Sequence, residues 1–184
     1  MPGPERVLVL LRAVNVGGHG VLPMADLRAA ATDLGHADVA THLATGNLLL
    51  TPAPGSPGTA DGLAARLTAD LGERLGRPLA LTVRTRAALD DVVAANPYPD
   101  AAADDPAHLV VLFLDGPAPA AGAADLSAYG RERATWHGHE GYVHYPDGIG
   151  RSTVTAGVLD RLSGRRGTGR NWRTVLALQA KLHA

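Results

Sequence analysis

Cysteine is missing altogether from the 184 residues. That excludes disulfide frameworks, zinc–thiolate centres and thiol nucleophiles together, and it leaves the redox compartment open. Aromatic residues make up only 4%, with a single phenylalanine, too few to supply the stacking platforms that RNA recognition uses. No stretch approaches the roughly 20 consecutive apolar residues that cross a bilayer, so no membrane partner is expected. The opening residues, MPGPERVLVLL, carry neither a basic leader nor a small-residue cleavage site, which points to a soluble cytoplasmic protein. Lysine is nearly absent as well. Lys181 stands alone against 16 arginines, a bias that a GC-rich genome produces without any arginine-specific function.

What is present is ordinary globular composition, 46% apolar and 19% charged. The net charge of −1 pulls the protein towards neither nucleic acid nor membrane. Its distribution is uneven. Residues 1–150 hold ten arginines against 17 acids, a net of −7, while residues 151–184 hold seven cations against Asp160 alone, a net of +6. A basic end of this kind complements an acidic remainder of the same fold, or else attracts anions. Weak nucleic-acid binding through it is one alternative, which the poverty of aromatics argues against.

Periodicity organises the chain. RVLVLL, residues 6–11, reads as a buried central strand, and PMADLRAAATDLG as a helix closed by Gly35. DVATHL and NLLLT flank ATG as a tight hairpin. Leu63, Leu67, Leu71 and Leu75 mark an amphipathic helix ending near Gly76, and LALTVR follows as a strand. TRAALDDVVAAN predicts a further helix with Thr85 as its N-cap, and the proline- and acid-rich PYPDAAADDPAH an internal boundary. Beyond it come the buried strand LVVLFL, a short Ala-rich helix, a hairpin around Gly138 and Gly141, and two final helices. The two halves echo each other in element type without repeating in sequence. The expected fold class is α+β, two ferredoxin-like (βαββαβ-type) subdomains packed together, residues 1–98 and residues 99–184 with the two terminal helices.

Two patches concentrate chemistry. In LLRAVNVGGHG, residues 10–20, a strand gives way to Arg12, Asn15, Gly17 and Gly18 just before a helix, where open sheets gather ligands. The pattern is no P-loop, for His19, Gly20 and Val21 stand where a lysine and a hydroxyl would be needed, and it is not G-x-G-x-x-G. A plain turn with Arg12 paired to a carboxylate is the competing reading. Gly46 and Asn47 close the hairpin turn, and they serve a ligand only if the hairpin lies beside the Arg12 loop. In GTGRNWRTV, residues 167–175, Asn171 caps the last helix and Trp172 packs inward, whereas Arg170 opposes the helix dipole unless an anion or carboxylate sits there. His137, His139, Glu140 and His144 form the only candidate metal cluster, without clear ligand spacing, and no metal is expected. No G-x-S-x-G elbow surrounds any serine, and no cofactor is named by any motif.

Taken in order, LLRAVNVGG, LPMADLR, ATGNLLL, NPY, HLVVLFL and GRNWRTVLAL resemble domain-of-unknown-function family 1697, from about Val7 to Leu178. The resemblance implies a largely bacterial α+β protein and no particular reaction. It places glycine where this chain has Ala13, Gln-Ser where it has Ala44 and Thr45, and Ser-Lys where Ser152 and Thr153 stand. The motif residues carried over are Arg12, Asn15, Gly17, Gly18, Gly46, Asn47, Arg170, Asn171 and Trp172. They are rich in donors and include no evident nucleophile or general base. The expected function is binding of a small anionic ligand (nucleotide, sugar phosphate or carboxylate) in a cleft formed by the LLRAVNVGG and GRNW loops. A transferase or hydrolase with His19 or His42 as acid/base is the alternative.

Overall fold

The computed structural model describes residues 5–15, 21–118 and 121–184. Among them, nine strands and six α-helices form a mixed α/β fold with two antiparallel sheets. The chain divides into two compact units, residues 1–89 with 178–184, and residues 90–177.

The first unit contains β1 (Val7–Leu11), α1 (Met24–Asp33), β2 (Ala37–His42), β3 (Asn47–Thr51), α2 (Ala60–Leu75) and β4 (Leu81–Thr85). Its strands lie in the order β2-β3-β1-β4, and each neighbouring pair is antiparallel. All five residues of β1 are buried, as an unbroken apolar run requires of a central strand. Val7, Val9 and Leu11 join Leu48, Leu50 and Val83 beneath the helices, where Leu27, Leu63, Leu67 and Leu71 meet them. The four-residue spacing sets the α2 leucines on one helix face, and burying each contributes about 2 kcal/mol. Thr59 caps α2 by accepting from the Gly62 N–H at 3.2 Å, and Gly76 ends it with a left-handed φ of 62°.

The remaining elements are α3 (Arg86–Ala94), α4 (Pro99–Asp104), β5 (Leu109–Leu114), β6 (Gly122–Ala123), β7 (Arg133–His137), β8 (Glu140–His144), α5 (Ala156–Ser163), β9 (Gly167–Asn171) and α6 (Trp172–His183). Their sheet runs β6-β7-β8-β5-β9. Apart from β6, this repeats the logic of the first sheet: a hairpin, then the unit's first long strand, then its last.

Three expectations change in the second unit. The Ala-rich stretch after β5 is not helical where it is described. Pro117 and Gly116 oppose a helix there, and Gly122 and Ala123 pair instead with Trp136 and Thr135 on β7. Gly138, with φ 59°, makes the β7–β8 turn, while Gly141 lies inside β8 because the Trp136 ring occupies the space of a side chain, 2.3 Å from where a Cβ would stand. Between α3 and β5 the proline- and acid-rich stretch holds the short helix α4, with Pro99 suited to its first turn. Finally, Gly167–Asn171, read as a loop, is the edge strand β9 paired to β5.

Candidate functional site

In the first unit the loop after β1 and the β2–β3 turn are locked together. The Leu11 N–H donates to Gly46 O at 2.8 Å, and Asn15 Nδ2 donates to Ala44 O at 2.6 Å. Gly46 adopts φ 80°, and a Cβ there would stand 2.4 Å from Val14 Cγ2 and 2.8 Å from Leu11 Cβ. Glycine is therefore required twice, for backbone conformation and for close approach. The hairpin does lie beside the Arg12 loop.

Arg12 follows directly on β1, and its N–H donates to Ala80 O at 2.8 Å, which prolongs the β1–β4 pairing by one residue. Its side chain is half-buried. The next three residues turn sharply. Ala13 and Asn15 both occupy the left-handed region, at φ 53° and 56°. Asparagine tolerates this region and alanine pays for it, which is the physical content of the glycine that the family resemblance places at position 13. Asn15 uses its whole amide within the protein: Oδ1 accepts from the Leu22 N–H at 2.7 Å, while Nδ2 donates to Leu22 O at 2.9 Å and to Ala44 O. Asn47 is fully buried opposite Leu10, and its Nδ2 donates to His42 O at 2.7 Å and to Thr45 Oγ1 at 3.1 Å. Gly17, Gly18 and His19 lie outside the described residues. Burial, and secondarily Lys181, lowers the pKa of His42 from its ordinary value, so the ring is neutral at pH 7.

In the second unit the β9–α6 junction carries the other patch. Asn171 Oδ1 accepts from the Thr174 N–H at 2.9 Å and caps α6, and Trp172 is buried. Arg170 is only 8% exposed, and its NH1 donates to Thr168 Oγ1 and Gly169 O, both at 2.8 Å. Desolvation pushes its pKa down to about 10, which still leaves it charged at neutral pH.

A residue that motif reading passed over repeats this arrangement. Arg84 on β4 is 7% exposed, and its NH1 donates to Thr82 Oγ1 at 2.6 Å and to Val83 O at 2.9 Å. Thr85 then accepts from the Ala88 N–H at 3.1 Å at the start of α3, as Asn171 does for α6. Each unit thus ends its sheet on Thr-x-Arg, a capping side chain and a helix. The sequence signal was present in LTVRT and GTGRN, but it is too short to see without the strand register. Thr82 and Arg84 stand opposite Leu10 and Leu8 of β1, on the sheet face turned away from α1 and α2.

The histidine cluster divides. His137 is exposed, Glu140 is buried, and His144 is tied to Asp105 and Arg133. Among the described residues, no group of three or more His, Asp or Glu side chains is placed to hold a metal ion. None of the described helices is long and apolar enough to cross a membrane.

Comparison with known proteins agrees with this architecture. The conserved bacterial protein SP0830 from Streptococcus pneumoniae is similar in structure, with a TM-score of 0.65 over 96% of this chain and 98% of that one, at 18% sequence identity. At that identity the likeness is one of fold alone. A comparison with curated proteins finds no match. The family described as "Protein of unknown function (DUF1697)" matches residues 5–143, a span that takes in the Arg12 loop and the hairpin and stops short of β9. That span is well over half of the chain, and the protein belongs to this DUF1697 family.

Proposed function

We propose that the protein binds a small anionic metabolite, a nucleotide, sugar phosphate or carboxylate, with Arg12 as the charge-pairing group of the β1 loop and Arg170 as that of the β9–α6 junction, each within its own unit, and that the units are ferredoxin-like subdomains. The order β2-β3-β1-β4, reached through β1-α1-β2-β3-α2-β4, supports the second part for the first unit. β7-β8-β5-β9 with α5 as one crossover supports it for the second.

The observation that carries the binding reading is the pair of left-handed residues, Ala13 and Asn15, immediately after Arg12 at the end of a buried strand. Backbone held in such conformations costs of order 1–3 kcal/mol per residue and concentrates at ligand clamps. Turns of this kind also direct successive N–H groups into anion-binding concavities. Asn15 acts here as a positioning residue, since its amide is spent on Leu22 and Ala44. Gly46 and Asn47 hold the hairpin in place. Arg170 brings a desolvated guanidinium, which interacts more strongly with an anion than an exposed one does.

Thermal denaturation with inorganic phosphate, AMP, glucose 6-phosphate and citrate as probes tests this. A probe at a hundredfold excess over its Kd adds about 2.7 kcal/mol of stability, and the gain is lost in Arg12→Ala. Loss in Arg170→Ala as well assigns the second unit a share. A panel without any shift contradicts the reading.

A further inference from the structure

The second unit holds an open pocket of about 470 Å³ between the segment from Ala123 to Ser127 and the start of β7. That volume lies in the range of small-molecule sites. Leu126 and Ala134, both buried, line it together with Tyr98 and Thr135. Its charged lining is mixed: Arg133 against Asp125 and Glu132.

Arg133 is held in place yet not used up. Its guanidinium carbon lies 4.6 Å from the centroid of the Tyr98 ring, a cation–π contact. That ring is itself fixed, because the Tyr98 hydroxyl and Thr135 Oγ1 are 2.7 Å apart. Arg133 NH2 donates to Asp100 Oδ2 and to His144 Nδ1, each at 3.2 Å, and His144 Nε2 faces Asp105 Oδ2 at the same distance. Among the described residues, Nε and NH1 of Arg133 make no hydrogen bond. Those two donors lie on different edges of the planar guanidinium, each edge shared with NH2, so each offers a carboxylate a single charge-assisted hydrogen bond.

The acids are likewise half-engaged. Asp125 Oδ1 accepts from the Ser127 N–H at 3.0 Å and from its hydroxyl at 2.6 Å, bonds that hold the carboxyl below its usual range and keep it anionic. Glu132 Oε1 accepts from the Ser152 hydroxyl. Oδ2 of Asp125 and Oε2 of Glu132 have no hydrogen-bond donor among the described residues. A phosphate entering this pocket meets two carboxylates, and a diamine meets a guanidinium, so a ligand of one sign is repelled at one end. A small molecule carrying both charges satisfies all three groups.

We propose that this pocket binds a free α-amino acid with an apolar side chain. Its carboxylate lies on Arg133, its ammonium takes the open oxygens of Asp125 and Glu132, and its side chain rests on Leu126 and Ala134. The site is independent of Arg12, so it stands or falls separately from anion binding at the β1 loop.

Amide NMR titration of the full chain with L-leucine, N-acetyl-L-leucine and L-leucinamide decides it. Saturable shifts with L-leucine around residues 123–135 are expected. The acetylated and amidated probes, each lacking one charge, bind at least about tenfold more weakly. Arg133→Gln and Asp125→Asn weaken L-leucine to the same degree, the latter while keeping Oδ1 as the acceptor for Ser127, and Arg12→Ala leaves it unchanged. Absence of saturable shifts, equal binding of the acetylated probe, or shifts centred elsewhere overturns the proposal.

Discussion

Asn15 and Leu22 are joined through both ends of one side-chain amide, Oδ1 accepting from the Leu22 N–H at 2.7 Å and Nδ2 donating to its carbonyl at 2.9 Å. The pairing imitates a backbone ladder and draws together the two ends of the connection from β1 to α1. Leu22 is 3% exposed, so its amide gains little from water once this partner is removed. Asn15→Ala is expected to cost about 3 kcal/mol in urea denaturation, from the orphaned amide and from alanine at φ 56°. Asn15→Asp keeps the acceptor but sets a carboxylate oxygen against the carbonyls of Leu22 and Ala44, and is expected to cost at least as much. A change below 1 kcal/mol in both variants contradicts the clamp.

Ala13 offers the opposite sign. At φ 53° its Cβ is strained, and glycine relieves that strain while giving back part of the gain as unfolded-state entropy. Ala13→Gly is expected to stabilise the protein by about 0.5–1 kcal/mol, a rare direction for a glycine substitution, read from the shift in urea midpoint at constant m-value.

Gly46 tolerates nothing larger. Its added Cβ would overlap Val14 and Leu11 and would also hold a left-handed φ. Gly46→Ala is expected to lose about 3 kcal/mol or more, combining the backbone penalty with overpacking. The same variant separates the β1 loop from the hairpin, so anion binding falls with it.

How much of this was legible depended on where the determining contact lies. Val7–Leu11 and the leucines of α2 announce themselves, because local periodicity and burial agree at those positions. β9 does not. Gly167, Thr168, Gly169, Arg170 and Asn171 have neither alternation nor apolar character, and the reason for glycine lies 55 residues away, where the Leu112 side chain stands 2.4 Å from the missing Cβ. At the candidate site the residue types of the loop and hairpin were visible, but their adjacency comes from bonds such as Leu11 to Gly46 that no local pattern encodes. Arg84 reads as an ordinary strand arginine until its register with Leu8 and its bond to Thr82 are known.

Acid sensitivity follows from His36. The residue is 7% exposed, and its Nδ1 accepts from the Ala53 N–H at 3.0 Å, a bond only the neutral ring can make. Burial lowers its pKa from 6.5; Asp70 opposes that shift and Arg66 adds to it. The unfolded chain therefore takes up the proton first as pH falls. The stabilisation from neutral His36 is complete above pH 6.5 and is lost as pH drops through the folded-state value. His42, lowered by burial and by Lys181, acts in the same direction. Denaturation midpoints measured from pH 8 to pH 5 are expected to fall, and His36→Gln to flatten part of that slope. An unchanged slope in the variant contradicts this assignment.

Binding of an anion at Arg12 is tested most directly by the Nε–H resonance of that side chain in 15N-labelled protein, assigned by its absence in Arg12→Lys. Titration with inorganic phosphate, AMP, glucose 6-phosphate and citrate should move this signal saturably for at least one probe, together with the amides of Ala13 to Asn15. A signal that stays fixed throughout, with those amides, contradicts the account.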